Sequence, residues 1–296
     1  MQDYVVDRRE NLSAKEFAEA YVAKRRPVLV KGALANCSAL SRWTLAFVRR
    51  NAGVETIPLK VLSESEIKVT QKELGDYIDE LEDFEARRDE RSNSPAAPAY
   101  LHDIPLTALL PRANADLEDF PWRYFPGWYG KDWAKFAQVF LGPSDSLTPL
   151  HFDCLLTHNL FFQIKGRKRF VLIPAQQLGL CYPHHWRWCS VDVEKPDLER
   201  FPLYRDALRA EVLVEPGDAL YFPPGTLHHV RSLDCAISFN VDWHTKDSAL
   251  QGVLAALRGM PVQNVYYNLI VALGLWCKVP ARRLFPYYRS YLNYIS

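Results

Sequence analysis

Apolar positions between 136 and 243 come in short runs divided by Gly and Pro, at 137–141, 160–164, 169–173, 210–214, 219–222, 228–233 and 236–241. Many short strands punctuated by turn residues predict an antiparallel sandwich or barrel. The flanks have a different texture. Ser13 followed by Glu16 reads as a capping box that opens a helix to about Lys24, with Phe17, Ala20 and Tyr21 on one face. A short strand at 27–30 ends at Gly32, Ser41 caps a second helix through Arg50, and 55–62 is extended. Residues 74–88 predict a charged amphipathic helix. The stretch 87–99 (RRDERSNSPAAPA) mixes charge with Ser, Asn and Pro and predicts a mobile loop. After Trp243 the pattern returns to helix, at 248–258 and 264–277. The second of these is apolar on most sides. It needs a partner surface, either its own barrel or a second copy in a homodimer.

Composition narrows the class without supplying chemistry. The chain has 296 residues, 48% hydrophobic and 24% charged, which excludes a disordered or collagen-like polymer. Lys plus Arg is 36 against 35 Asp plus Glu, so no global field favours nucleic acid or an anionic membrane. The longest apolar run, 269–277, is far shorter than the roughly 20 residues of a membrane span. The six cysteines are scattered with no C-x-x-C, which suits reduced, buried thiols. Cys181, His184, His185 and Cys189 lie close together but match no zinc-finger spacing. The N-terminal residues lack an apolar signal core, so an intracellular, cytoplasmic location is the expectation.

Of the 8 histidines, one opens an H-x-D, His151-Phe152-Asp153. On a strand, residues i and i+2 share a face, so both ligand groups would look into a barrel. The motif is weak alone. A second histidine follows in the strand–turn–strand unit from Gly217 to Val230, where His228 shares a face with apolar Val230 and His229 with Arg231. His228 is therefore the inward one, with His229 near the outside or hydrogen-bonded to backbone. Two histidines and a carboxylate on one face make a facial triad with three open positions, the arrangement an iron(II) oxygenase uses. By the same alternation Cys154 faces away from the metal and is packing. The aromatic run Trp122, Tyr124, Phe125, Trp128, Tyr129 and Trp133 reads as core and lid packing.

The ordered stretches TPLHFD, NLFFQIKGRKRF, VDVEKPDLERFP and GDALYFPPGTLHHV resemble the cupin-like Jumonji-C oxygenases, in the branch around the asparaginyl hydroxylase of hypoxia-inducible factor. The similarity is dense over about 136–243 and collinear, though weaker, from Leu12 onward. It implies a mainly β fold, a double-stranded β-helix (cupin, or jelly-roll) core with an N-terminal α/β elaboration over 1–135 and a C-terminal helical segment over 244–296. It implies iron(II) held by His151, Asp153 and His228, with 2-oxoglutarate and dioxygen as cosubstrates. By position, Lys168 and Thr148 match the groups at the far carboxylate of 2-oxoglutarate. Asn159 and Asn240 match amides flanking the metal and the keto-acid head, and Tyr100 matches a tyrosine near the cosubstrate. A buried carboxylate needs a cation or strong donors, so this pairing is chemically sound.

The departures concern the substrate. The segment between Asp153 and Asn159 is two residues longer than in the asparaginyl hydroxylase. Arg187-Trp188 stands where that enzyme has an Arg-Gln pair facing the target amide, and His102 where it has Gln. Asparagine hydroxylation is therefore not transferred. The expected reaction is hydroxylation of an unactivated C–H on a protein or peptide side chain, with His102, Arg187 and Trp188 facing the substrate. Rival readings are a hydroxylase of a small molecule (an amino acid, nucleoside or natural-product intermediate), a non-catalytic cupin binding protein, and a zinc or nickel cupin. The last has no reason to keep Lys168 and Thr148.

Overall fold

The computed structural model describes residues 4–62, 67–87, 97–110, 113–117 and 119–288. Most of the loop expected at 87–99 lies outside them. Fifteen strands are present among the described residues: β1 Asp7–Arg9, β2 Val28–Val30, β3 Thr56–Leu62, β4 Ile67–Glu73, β5 Leu101–Pro105, β6 Ala137–Gly142, β7 Leu147–His151, β8 His158–Lys165, β9 Lys168–Ile173, β10 Pro183–His184, β11 Trp188–Cys189, β12 Ala210–Val214, β13 Ala219–Phe222, β14 Leu227–Ser232 and β15 Ala236–Trp243. One sheet runs β1-β2-β13-β8-β15-β6-β5 and a second β10-β11-β7-β14-β9-β12, with β3-β4 a separate pair. Strands close in sequence alternate between the two large sheets. The fold is thus the expected cupin jelly-roll, with helices added at both ends.

Period-2 alternation sorts the side chains. On β8, Phe161 turns inward while Leu160, Phe162 and Ile164 face the other way, and β15 does the same with Asn240 and Asp242 against Phe239, Val241 and Trp243. Three apolar clusters follow. Phe161, Phe170, Leu172, Val212, Val214, Leu220 and Phe222 fill one end of the space between the sheets. A larger cluster covers the outer face of the seven-stranded sheet; Phe125, Tyr129 and Trp133 are buried in it, as the aromatic run predicted. A third lies outside β7 and β14, under the segment that leaves β9 and returns at β12.

The helical readings hold in outline and fail at their caps. Ser13 Oγ accepts the Glu16 amide at 3.1 Å, but the Glu16 carboxylate pairs with Arg9, so only half of the capping box forms. Beyond Glu16 the helix widens to π winding over Phe17–Val22 and buries Phe17 and Tyr21. Ser41 does not cap the second helix. That region is two helices, Ala39–Arg42 and Leu45–Ala52, and Thr44 caps the latter by accepting the Phe47 amide at 3.1 Å. Leu74–Ala86 is helical as expected. At the C-terminal end the helix Lys246–Leu254 opens on a full capping box between Thr245 and Ser248, and Val262–Cys277 packs beside it. Among the described residues no helix is long and apolar enough to cross a membrane, and none of the six cysteines forms a disulfide.

Candidate active site

β7 and β14 pair antiparallel with His151 opposite His228 and Thr148 opposite Val230. Three steps along β7 thus face two along β14, a bulge of one extra residue at Pro149-Leu150. Proline suits a bulge because it has no N–H to offer the ladder. The extra residue lets Thr148 and His151, three apart, line the same cavity. β7 ends at His151, so Asp153 is not placed by strand alternation as expected; it lies in the irregular segment beyond the strand. Cys154 packs in the large apolar cluster as expected, and also borders the cavity.

His151, Asp153 and His228 each offer a ligand atom, and these atoms lie within 4.8 Å of one another; among the described residues this is the only such cluster. His151 Nδ1 sits 2.8 Å from the Pro149 carbonyl and His228 Nδ1 3.1 Å from that of Thr226. A ring nitrogen facing a carbonyl must donate, so each imidazole keeps Nε2 as its acceptor. His228 Nε2 lies 3.7 Å from Asp153 Oδ1, and burial pushes its pKa below the ordinary histidine value. A neutral imidazole is what a metal requires. Asn159 Nδ2 donates to Asp153 Oδ2 at 3.0 Å, fixing the carboxylate from β8. One carboxylate and two imidazoles suit iron(II) and leave positions open.

His229, on the opposite face of β14, is not near the surface or bonded to backbone as the alternation suggested. It is buried, with neither ring nitrogen hydrogen-bonded among the described residues.

The cavity encloses about 860 Å³ including the solvent at its mouth. Lys168, first residue of β9, is 1% exposed inside it. Its ammonium donates to Tyr100 Oη at 2.6 Å and lies 5.0–5.6 Å from the ring centroids of Tyr100, Phe140 and Phe161. Among the described residues no carboxylate reaches it, and burial lowers its pKa to about 7. Gly142 makes room for this arrangement, since a Cβ there would stand 2.3 Å from the Tyr100 ring.

All eleven residues singled out in the sequence line this one cavity: Tyr100, His102, Thr148, His151, Asp153, Asn159, Lys168, Arg187, Trp188, His228 and Asn240. His102 stacks on Tyr100 at 5.3 Å. Asn240 Nδ2 donates to Asp242 Oδ1 at 3.1 Å, and the Oδ1 atoms of Asn159 and Asn240 are buried without a hydrogen bond. Trp188 is less free than a substrate-facing residue would be: its ring lies 5.0 Å from that of His151 and carries the Arg187 guanidinium 4.5 Å above it. Sequence reasoning missed Gln138, Asp242 and the walls Phe140, Phe161, Phe170 and Phe222. Alternation from Asn240 would have found Asp242.

A jelly-roll with a His–Asp–His triad at one end and a buried ammonium in the same cavity is the architecture of a metal-dependent cupin. Residues 13–249 match the model of the cupin-like domain family, and the chain belongs to that family. It is similar to lysine-specific demethylase JMJ30 of Arabidopsis thaliana (28% identity, covering 80% of this chain and 54% of that protein) and to Jumonji C domain-containing protein 5 of Drosophila melanogaster (27%, 78% and 58%). It is also similar to human tRNA wybutosine-synthesizing protein 5 (24% identity, 82% and 78%). The chain spans about half the length of the first of these relatives. None of the three is named as an asparaginyl hydroxylase, so that branch of the resemblance stays an expectation.

Proposed function

We propose that the chain is an iron(II)- and 2-oxoglutarate-dependent dioxygenase that hydroxylates an unactivated C–H bond on a protein or peptide side chain. One observation carries this reading: Lys168, buried with no acid in reach among the described residues, shares a cavity with a facial triad. An ammonium is costly to bury alone and calls for an anion. A binding scaffold or a zinc cupin has no use for that cost.

His151, Asp153 and His228 would hold iron(II), which when bound couples dioxygen activation to oxidative decarboxylation of the keto acid. The chain's own residues do the rest. The Pro149 and Thr226 carbonyls keep both imidazoles in the metal-binding tautomer, and Asn159 orients Asp153. Lys168, with Tyr100 and Thr148, receives the distal carboxylate. Phe161, Phe170 and Phe222 exclude water around it. Succinate formation from 2-oxoglutarate, under iron(II) and ascorbate, tests the reading. Wild-type turnover that His151→Ala and Lys168→Ala both abolish is expected; turnover surviving either change would overturn it.

Support for a protein substrate comes from relatives named as lysine- and arginine-specific demethylases. A second reading has its own support: the relative named for tRNA wybutosine synthesis is matched over 78% of its length, more than the other two relatives described above. A gain of one oxygen mass on peptides, rather than on tRNA nucleosides or free amino acids, separates the two. The unit we propose runs over 1–243, with 244–296 a helical segment that pairs two copies. Its support is a stripe of exposed apolar side chains, Val262, Tyr266, Leu269, Leu273 and Trp276, at 4-3-4-3 spacing on one helix. That is the seam of a helix pair. Six cysteines that form no disulfide support an intracellular setting.

A further inference from the structure

We propose that Trp188 is a positioning residue for the metal centre: its indole sets the plane of the His151 ring, and the hairpin that carries it holds the ligand segment in shape. The inference rests on the metal-centre reading above.

Residues 152–154 have left the β ladder, so their backbone groups need other partners. The β10–β11 hairpin supplies them. Trp188 is the register partner of His151, and the Phe152 amide donates to the Arg187 carbonyl at 3.1 Å. Trp186 Nε1 donates to the Cys154 carbonyl at 3.0 Å, and its ring meets Phe152 edge-on at 5.5 Å. Three of the four residues from His151 to Cys154 are thus held by one hairpin; Asp153, the fourth, is held from β8 by Asn159.

The His151 imidazole is hydrogen-bonded to the Pro149 carbonyl. Ring packing bears on its plane from both sides. On one side the His228 ring lies 4.1 Å away at 52°, and on the other the Trp188 indole lies 5.0 Å away at 32°. Arg187 stacks on Trp188 at 4.5 Å and loads the indole against the ligand. The hairpin is built at a cost. His185 and Trp186 turn it with φ of 43° and 66°, left-handed values that favour glycine. Such residues persist where their surroundings over-determine them. The Trp186 and Trp188 contacts with the ligand segment are such surroundings.

The test uses the full-length, metal-free protein titrated with Mn(II), free ion being read by electron paramagnetic resonance, and with Co(II), whose ligand-field bands report coordination geometry. Trp188→Leu keeps bulk but loses the flat face. It is expected to weaken Mn(II) binding about 10- to 100-fold and to shift the Co(II) bands, while Trp188→Phe stays within about threefold of wild type. Wild-type affinity and an unchanged Co(II) spectrum in Trp188→Leu would overturn the proposal. A second measurement needs no destabilised variant at this position. In 5-fluorotryptophan-labelled protein, the resonance missing from Trp188→Phe should move when His151→Ala is introduced, and a stationary resonance would overturn it equally. If wild type fails to bind Mn(II), or His151→Ala leaves binding unchanged, the metal-centre reading itself falls instead.

Discussion

Lys168 sits among three aromatic rings with a phenol as its hydrogen-bond partner, and burial drags its pKa from 10.5 to about 7. The sign of the linkage follows. Between pH of about 7 and 10.5 the unfolded chain binds more protons here than the folded one, so this group makes ligand-free stability rise with pH across that window; below about 7 its penalty is complete. Lys168→Met should therefore flatten this part of the pH–stability curve and leave the ligand-free melting temperature at pH 7 unchanged or higher, as read by calorimetry. The same variant should lose affinity for 2-oxoglutarate by more than about 100-fold, since the bound carboxylate is left without its cation. In wild type, 2-oxoglutarate affinity should fall above pH of about 7, because binding then takes up a proton. None of this was legible locally: in IKGRKR the lysine reads as one more charge on a solvated turn, and only the resemblance to a family singled it out. Alternation did separate His228 from His229, because Val230 and Arg231 mark the two faces of β14.

At the scale of elements, two small irregularities aim the side chains. The bulge at Pro149-Leu150 brings Thr148 and His151 to one cavity. Deleting Pro149 should remove the bulge and leave Thr148 and His151 two apart on a regular strand, still on one face. The expected result is retained β-sheet circular dichroism with 2-oxoglutarate binding retained by calorimetric titration. Gly142, at the end of β6, is the second device. Gly142→Ala would drive a methyl into the Tyr100 ring. It should cost about 1–3 kcal/mol in chemical denaturation and raise the Michaelis constant for 2-oxoglutarate more than it lowers turnover. The long strands were readable because each carries an apolar face. β7 was not, since LTPLH is short, half polar and interrupted by proline, and the two-residue strands of the β10–β11 hairpin carry no periodicity at all. For the same reason a strand argument placed Asp153 correctly in the cavity on a wrong premise.

Over the whole molecule, the interleaving of two sheets brings together candidate metal ligands 77 positions apart, His151 and His228, as direct register partners. The centre therefore exists only once β14 has closed against β7, which no local pattern records. The C-terminal helices add a second long-range feature. Their apolar stripe continues from Leu250, Leu254 and Leu257 into Val262–Cys277, and Leu257 and Val262 are 88% and 85% exposed. Leu269→Arg combined with Leu273→Arg should convert a dimer to a monomer by light scattering while leaving the barrel's circular dichroism intact. A wild-type monomer would remove that assembly from the proposal.

The excursion between β9 and β12 has an implication for how the proposed catalyst could diversify. The stretch that brings Arg187 and Trp188 to the cavity is also bolted, through Trp186 and Trp188, to the segment that runs from His151 to Cys154. If that segment holds iron as proposed, grafting a foreign loop there to redirect selectivity would loosen the grip on the metal as well, so a new specificity would evolve fastest along paths that preserve both indoles.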